Sequence, residues 1–503
     1  MNSHLVETID SAIQEGDLAR AFEIYEQIIT DSPTADRPLH QFNYAFLLWK
    51  CYEIEQASQV FQQLVREQSL PLDALQNIAK CYFQVGRFDV AADVMRGAVT
   101  VYPTDADAFF QWSSCLERSD QMELAREAAE RALRLVPEHR AAVRQLARIK
   151  RREGDLIQAI NILRDHLQRH PQGPTWLLRY ELAACLDRSG DYENAWHELL
   201  QGKSEWRSQS RLDLHASYSI RKRQGELVQS ITQVDWKRWH ETTVPQPCSL
   251  AFLAGFPRSG TTLLESVLAA NQSVVGTDES GVLTSQFVRP MVWEAPSTLD
   301  AVLELRGFSN EQLAAGREAY LKCTQAVLGE QIGDRLLLDK DPLLTCDLAL
   351  PLRLFPEAKL IMPIRDPRDV VLSYFSTILP SQWNGAPSID IVESARFYHD
   401  VLRHWLVLRD RLPWPSLETR YEDLVVQPER EAKRLCEFLG LDYAEGMVDS
   451  NQRSAQRWVT TPTYEDISKP LYTTSISRWR NYERKLEPAL EILEPWAREL
   501  GYE

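Results

Sequence analysis

An alanine recurs along the first part of the chain at a nearly fixed interval. Ala21, Ala57, Ala91, Ala125, Ala159 and Ala195 are spaced 36, 34, 34, 34 and 36 residues apart. Each stands five residues after the first residue of a turn pair: Gly16-Asp17, Tyr52-Glu53, Gly86-Arg87, Asp120-Gln121, Gly154-Asp155 or Gly190-Asp191. Pro33, Pro103, Pro137 and Pro171 follow their alanines by 12 residues, and Pro71 follows Ala57 by 14. A period held over six units requires one supersecondary unit stacked on copies of itself, which an irregular bundle does not explain. Small residues at Ala45, Ala79, Ser113, Ala147 and Ala183 let the first helix of each pair approach the second. Glycine in the turn supplies a left-handed helix cap, and proline ends the second helix. The segment is expected to be an all-α solenoid.

Its clearest unit runs Leu75, Ile78, Ala79, Tyr82, Ala91, Met95, Ala98, Pro103. Period and slots together resemble the tetratricopeptide repeat. The resemblance implies a groove for a peptide or protein partner, such as a protein acceptor, with a scaffold or a homodimerisation arm as the alternatives. The array is placed at residues 1–205 and a helical linker at 206–247, thinning out at Thr242-Thr243-Val244-Pro245-Gln246-Pro247.

The length, 503 residues, suits two to four domains at roughly 100–200 residues each. With 56 Lys plus Arg against 72 Asp plus Glu, the formal charge is -16. That excludes a polyanion-binding surface over the whole protein, so no nucleic-acid partner is expected. A small anion held by a few arginines and backbone amides remains open. The 8 cysteines are scattered without a C-x-x-C pair, which argues against zinc and a disulfide framework and for a reducing compartment. The start, MNSHLVETIDSAIQEGD, lacks the basic and apolar regions of a signal peptide. No apolar stretch is long enough for a membrane span. A cytoplasmic protein is expected.

After Pro247 the pattern changes to an α/β alternation. Strands are expected near 249–255, 335–339, 359–364 and 416–420, and helices near 261–271, 311–331, 366–378, 390–410 and 427–439. The predicted architecture is an all-α solenoid followed by a P-loop-like α/β domain with a parallel sheet. Its first strand runs into Gly255-Phe256-Pro257-Arg258-Ser259-Gly260-Thr261-Thr262 and then a helix. Strand, glycine-containing loop and helix converge backbone amides on an anion. Gly255 and Gly260 have the Walker A separation, but Thr261 stands where the lysine of nucleotide hydrolases belongs. That disfavours a P-loop kinase. Arg258 brings positive charge from within the loop instead.

These residues resemble the sulfotransferases that use 3′-phosphoadenosine 5′-phosphosulfate. In the stretch 257–264, PRSGTTLL, the resemblance assigns Arg258, Ser259, Gly260, Thr261 and Thr262 to the 5′-phosphosulfate. About a hundred residues on, the strand Lys359–Ile364 leads into Arg365-Asp366-Pro367-Arg368-Asp369 and on to Ser373, similar to the family's 3′-phosphate loop. Arg365 and Ser373 are the implied 3′-phosphate ligands. The nearest resemblance is to tyrosylprotein sulfotransferases and their bacterial repeat-bearing relatives. It places Glu279, within Gly276-Thr277-Asp278-Glu279-Ser280, on the general base. It places Lys340, within Asp339-Lys340-Asp341-Pro342, on the lysine that contacts the sulfuryl group. Tyr421 falls near the adenine, and Lys469 and Arg478 fall in the segment covering the nucleotide. The resemblance spans about 248–480, so 248–503 is read as the sulfotransferase domain. Two positions depart from the pattern. Gly281 replaces an arginine facing substrate, and Thr377 replaces a basic residue near the 3′-phosphate.

The chemistry this implies is sulfuryl transfer to an acceptor hydroxyl, with protein tyrosine as the leading acceptor. The alternatives are a carbohydrate or small-molecule acceptor, and an inactive repeat scaffold. The attacking hydroxyl must give up a proton to a carboxylate within hydrogen-bond reach, and Arg258, Lys340 and loop amides would stabilise the charge that builds in line. No metal is called for. The residues by themselves leave other roles open. Glu279 can be a turn carboxylate, and Asp278 the base or an N-cap. Lys340 can pair at the surface with Asp339 or Asp341, and Leu336–Asp339 can be a Walker B strand. Arg365 can be structural, Arg368 solvated or salt-bridged, and Tyr421 a core aromatic. His399 and His404 are read as packing residues.

Overall fold

The computed structural model describes residues 8–9, 11–12, 17–209, 213–241, 244–379, 382–449 and 470–502. Gly16, Thr242, Thr243 and Lys469 lie outside the described residues. The chain divides into two compact units: residues 1–149 with 325–330, and residues 150–324 with 331–503.

In the first unit, antiparallel helix pairs follow one another: Leu18–Asp31, Arg37–Lys50, Ile54–Arg66, Leu72–Gln84, Phe88–Val101, Ala106–Arg118, Met122–Leu135 and Arg140–Arg152, the last crossing the division. The periodic alanines Ala21, Ala57, Ala91 and Ala125 are fully buried, and Ser113 Oγ, in the small slot of its pair, donates to Ala125 O at 2.6 Å. Close approach of the two helices is therefore the reason for small side chains at both positions. The turn position is left-handed whatever residue fills it: φ is 74° at Gly86, 63° at Tyr52 and 60° at Asp120.

The second unit opens with the last helices of the array, Leu156–Arg169, Trp176–Arg188 and Tyr192–Gln209, where Ala159, Ala183 and Ala195 fill the same small slots. Helices Leu214–Ser230 and Gln233–His240 then lead to the sheet. Its strands are β1 (Leu250–Leu253), β2 (Val274–Gly276), β3 (Leu336–Lys340), β4 (Lys359–Ile364) and β5 (Ser416–Arg420), all paired in parallel in the order β2-β3-β1-β4-β5. Every residue of β1 is buried, as expected of a central parallel strand covered on both faces. One face packs Ala251, Leu253, Leu336, Leu338 and Ile361 against Leu264, Val267 and Leu268 of the helix Thr261–Ala269.

From β1 the chain builds first toward β3 and β2, then returns to place β4 on the other side. That reversal makes the carboxyl ends of β1 and β4 a topological switch point, where α/β sheets open a crevice. The loops of 254–260 and 365–366 both leave the sheet there. Among the described residues no helix is long and apolar enough to cross a membrane.

Candidate active site

The loop after β1 is set by its backbone. Gly255 has φ 139°, Arg258 77° and Gly260 97°. Gly260 caps the helix Thr261–Ala269 in the left-handed region, and a Cβ there would lie 2.6 Å from the Tyr421 ring. Only glycine meets both demands. Thr345 Oγ1 pins the loop's start, accepting from Gly255 N at 2.8 Å and donating to Gly255 O at 2.6 Å. The helix that follows presents its first-turn N–H groups at this end, the usual seat of an anion.

The loops after β1 and β4 are joined by side chains. Arg258 Nε donates to Ser373 Oγ at 3.0 Å, and Arg365 Nη1 donates to Arg258 O at 3.0 Å. Arg365 lies 4.4 Å over the Tyr421 ring, so Tyr421 is both a buried aromatic and the platform of a site arginine. Ser259 Oγ and Arg365 Nε are buried with no hydrogen-bond partner among the described residues. Unsatisfied buried donors cost free energy unless a ligand meets them. Ser259 Oγ faces Gly255 behind the loop, whereas Arg365 lines the cleft, where its guanidinium suits phosphate or sulfate oxygens.

A second cluster centres on Lys340. Alternation along β3 turns Leu336, Leu338 and Lys340 toward the helix Thr261–Ala269, and turns Asp339 to the opposite face. There Asp339 accepts from Tyr320 OH at 2.7 Å and Thr277 Oγ1 at 3.0 Å. Lys340 is fully buried, with Nζ 3.1 Å from Glu265, 3.2 Å from Asp278 and 3.3 Å from Glu279. Its Nζ also donates to Thr262 Oγ1 at 3.4 Å. The surface pairing with Asp339 or Asp341 that the sequence leaves open is thus replaced by a buried pairing with three other carboxylates. Burial alone would lower the lysine's pKa, but Glu265, Glu279 and Asp278 outweigh it and hold the ammonium charged.

Glu279 stands in a turn of positive φ: 47° at Asp278, 60° at Glu279 and 66° at Gly281. Its side chain keeps 37% of its surface open, toward the cleft that it lines, although surrounding protein desolvates the carboxylate. That desolvation raises its pKa, Lys340 opposes the rise, and Asp341 and Asp278 reinforce it. Glu265 is pushed up to about 7 by burial, with Lys340 pulling down and Asp278 pushing up. Its Oε1 accepts from Asp278 N at 2.8 Å, which fixes the turn. Glu265 escaped the sequence reading. Its signal was the single charged residue in the helix Thr261–Ala269, TTLLESVLA.

One cleft of about 990 Å³ collects Arg258, Gly260, Thr261, Thr262, Glu279, Arg365, Ser373, Tyr421 and Arg478. Ser259 and Lys340 stand behind its wall, and both are buried. Arg478 belongs to the segment Pro470–Tyr482, which lies along the loop after β4. Arg365 Nη2 donates to Ser475 O at 2.7 Å, and the backbone amides of Ser477 and Trp479 each donate to Asp369 at 2.7 Å. Asp369 was also missed, although it is the second aspartate of the motif that carries Arg365. Arg368 is buried, salt-bridged to Asp366 and Glu494, and stacked on Trp479. His399 accepts from Trp496 Nε1 at 3.0 Å and His404 is buried against Gly225.

A family model described as the sulfotransferase family matches residues 251–445, and one described as a tetratricopeptide repeat matches residues 116–174. A candidate protein-tyrosine sulfotransferase of Caenorhabditis briggsae is 30% identical over 203 residues, covering 40% of this chain and 69% of its own length. Protein-tyrosine sulfotransferase 1 of Danio rerio is 24% identical over 267 residues, covering 50% of this chain and 72% of its own. An uncharacterized protein of Aquifex aeolicus (strain VF5) is 24% identical over 422 residues, 80% of this chain. The chain spans about half of that relative, 52% of its length. With a phosphate-type loop, a second arginine loop and a carboxylate turn meeting at the switch point of its sheet, the chain belongs to the sulfotransferase family and carries tetratricopeptide repeats ahead of that domain.

Proposed function

We propose that the protein transfers the sulfuryl group of 3′-phosphoadenosine 5′-phosphosulfate to an acceptor hydroxyl, and that the acceptor is a protein tyrosine. The observation that carries this reading is the placement of Glu279 in the same cleft as Arg258, Arg365 and Ser373. The nucleotide supplies an activated sulfuryl group on a good leaving phosphate. Ser259, Gly260, Thr261, Thr262 and Arg258 would hold its 5′ end, and Arg365 and Ser373 its 3′-phosphate. Tyr421 would lie near the adenine. Arg365, which lines the cleft, carries an unpartnered Nε that such an anion would satisfy.

Glu279 takes the proton of the attacking hydroxyl at its carboxylate as the oxygen–sulfur bond forms. A carboxylate with a raised pKa holds that proton better than an ordinary one. Lys340, fully buried, acts through Glu279 and Thr262, as the countercharge that keeps Glu279 ionised and in place. Arg258 and the first amides of the helix Thr261–Ala269 offset the charge that builds toward the leaving nucleotide. Support for a tyrosine acceptor comes from the relatives' names and from the cleft's second wall. That wall is made of array residues, among them Leu156, Tyr180, Arg188 and Tyr192, which suits an acceptor presented on a polypeptide.

Glu279→Gln tests the assignment. With labelled donor and a tyrosine peptide, turnover is expected to fall by about 10²–10⁴-fold. Affinity for adenosine 3′,5′-bisphosphate, read by calorimetric titration, should stay within about twofold, since the base does not hold the nucleotide. Undiminished turnover in this variant would remove Glu279 from the mechanism.

A further inference from the structure

The cleft's two walls are tied together at one aspartate. Asp187, near the end of the array helix Trp176–Arg188, pairs through Oδ2 with Arg478 Nη2 at 2.7 Å. Its other oxygen, Oδ1, accepts from Tyr482 OH at 2.6 Å. The Tyr482 ring is set edge-on to Tyr192 at 5.4 Å and packs on Trp196 at 5.8 Å, both on the array helix Tyr192–Gln209. Trp196 in turn packs at 5.1 Å on Phe375, two residues beyond Ser373. On its other side the segment Pro470–Tyr482 is held by Arg365 and Asp369. Asp187, Arg478 and Tyr482 all line the cleft.

We infer that Asp187 is a positioning residue for the nucleotide site, holding Arg478 and the covering segment in their binding arrangement from the repeat array. The inference rests on the reading of the cleft as a phosphosulfate site. A guanidinium presents its donors as a rigid planar fork, so a carboxylate on one edge fixes where the remaining N–H groups point. Tyr482 on the second oxygen prevents the carboxylate from turning. Order imposed before binding is order the nucleotide need not impose. The last repeats are thereby part of the donor site as well as a wall for the acceptor.

The test uses the full chain, adenosine 3′,5′-bisphosphate as titrant, and steady-state kinetics with the sulfuryl donor. Asp187→Asn keeps the shape and removes the charge. It is expected to weaken bisphosphate binding about tenfold, the loss of one charge-assisted pair. The donor KM should rise by the same factor with kcat unchanged, and Asp187→Glu should recover most of the affinity. Glu193→Gln, which breaks the exposed Lys485–Glu193 pair on the neighbouring array helix, is the control and should change neither. Equal or tighter binding by Asp187→Asn would overturn the inference while leaving the function standing. A wild-type protein that does not bind the bisphosphate would overturn both.

Discussion

Asp278 and Glu279 hold a backbone conformation that most side chains avoid, at a cost on the order of 1–3 kcal/mol each. They are kept there by Glu265, which accepts from Asp278 N, and by Lys340, which reaches both carboxylates. The result is a carboxylate aimed at the cleft with a raised pKa, desolvation being the first cause. As the proposed base, Glu279 must be ionised, so activity is expected in full above that raised pKa and is lost as pH falls through it. Linkage runs the other way for stability. A carboxyl whose folded pKa is raised stabilises the fold below its unfolded value, and that contribution is lost as pH rises through the folded value. The active form is therefore the costlier one, as expected of a functional site. The acidic limb of kcat/KM, measured on the free enzyme with a tyrosine peptide, should lie above the ordinary glutamate value of about 4.3. A limb at or below that value would contradict the burial argument.

At the level of elements, the left-handed turn is the most exacting feature of each repeat. Gly154 has φ 88° and open space where a Cβ would go. Gly154→Ala therefore isolates backbone strain, expected to destabilise by about 1–2 kcal/mol. Gly97 lies inside the helix Phe88–Val101, also with open space. There alanine should stabilise by about 0.5–1 kcal/mol. Denaturant midpoints moving in opposite directions check the pair, and a shared direction would refute it. The repeat helices were legible because their spacing recurs over six units, and β1, β3 and β4 because they are mostly apolar runs. β2 was not, since Val274–Gly276 is too short to display alternation. Thr284–Trp293 was not either. It winds as a π-helix around Pro290, where an interior proline signals a break. Arg258, Glu279, Arg365 and Ser373, which the structure brings to one cleft, and Lys340 behind it were legible as candidates because each sits in a motif. Glu265, Asp369 and Asp187 were not, because each acts by holding another residue, and only the folded chain brings those pairs together.

For the whole molecule, a formal charge of -16 describes the surface and leaves the site to local cations. Arg258, Lys340, Arg365 and Arg478 supply the charge, three of them lining the cleft and Lys340 behind it. Each is oriented by a named partner: Ser373, the carboxylate trio, Ser475 and Asp187. Within the second unit, the last repeats and the sulfotransferase residues build one cleft, whose walls come from both parts of the sequence. Sulfuryl transfer to a tyrosine hydroxyl is tested by following the label itself. The full chain is incubated with radiolabelled 3′-phosphoadenosine 5′-phosphosulfate, tyrosine-containing peptides and a panel of oligosaccharides, and the products are separated. Label is expected on the tyrosine oxygen and is expected to be absent with Glu279→Gln. Label on sugars alone would contradict the acceptor, and folded protein that labels nothing would contradict the transfer itself.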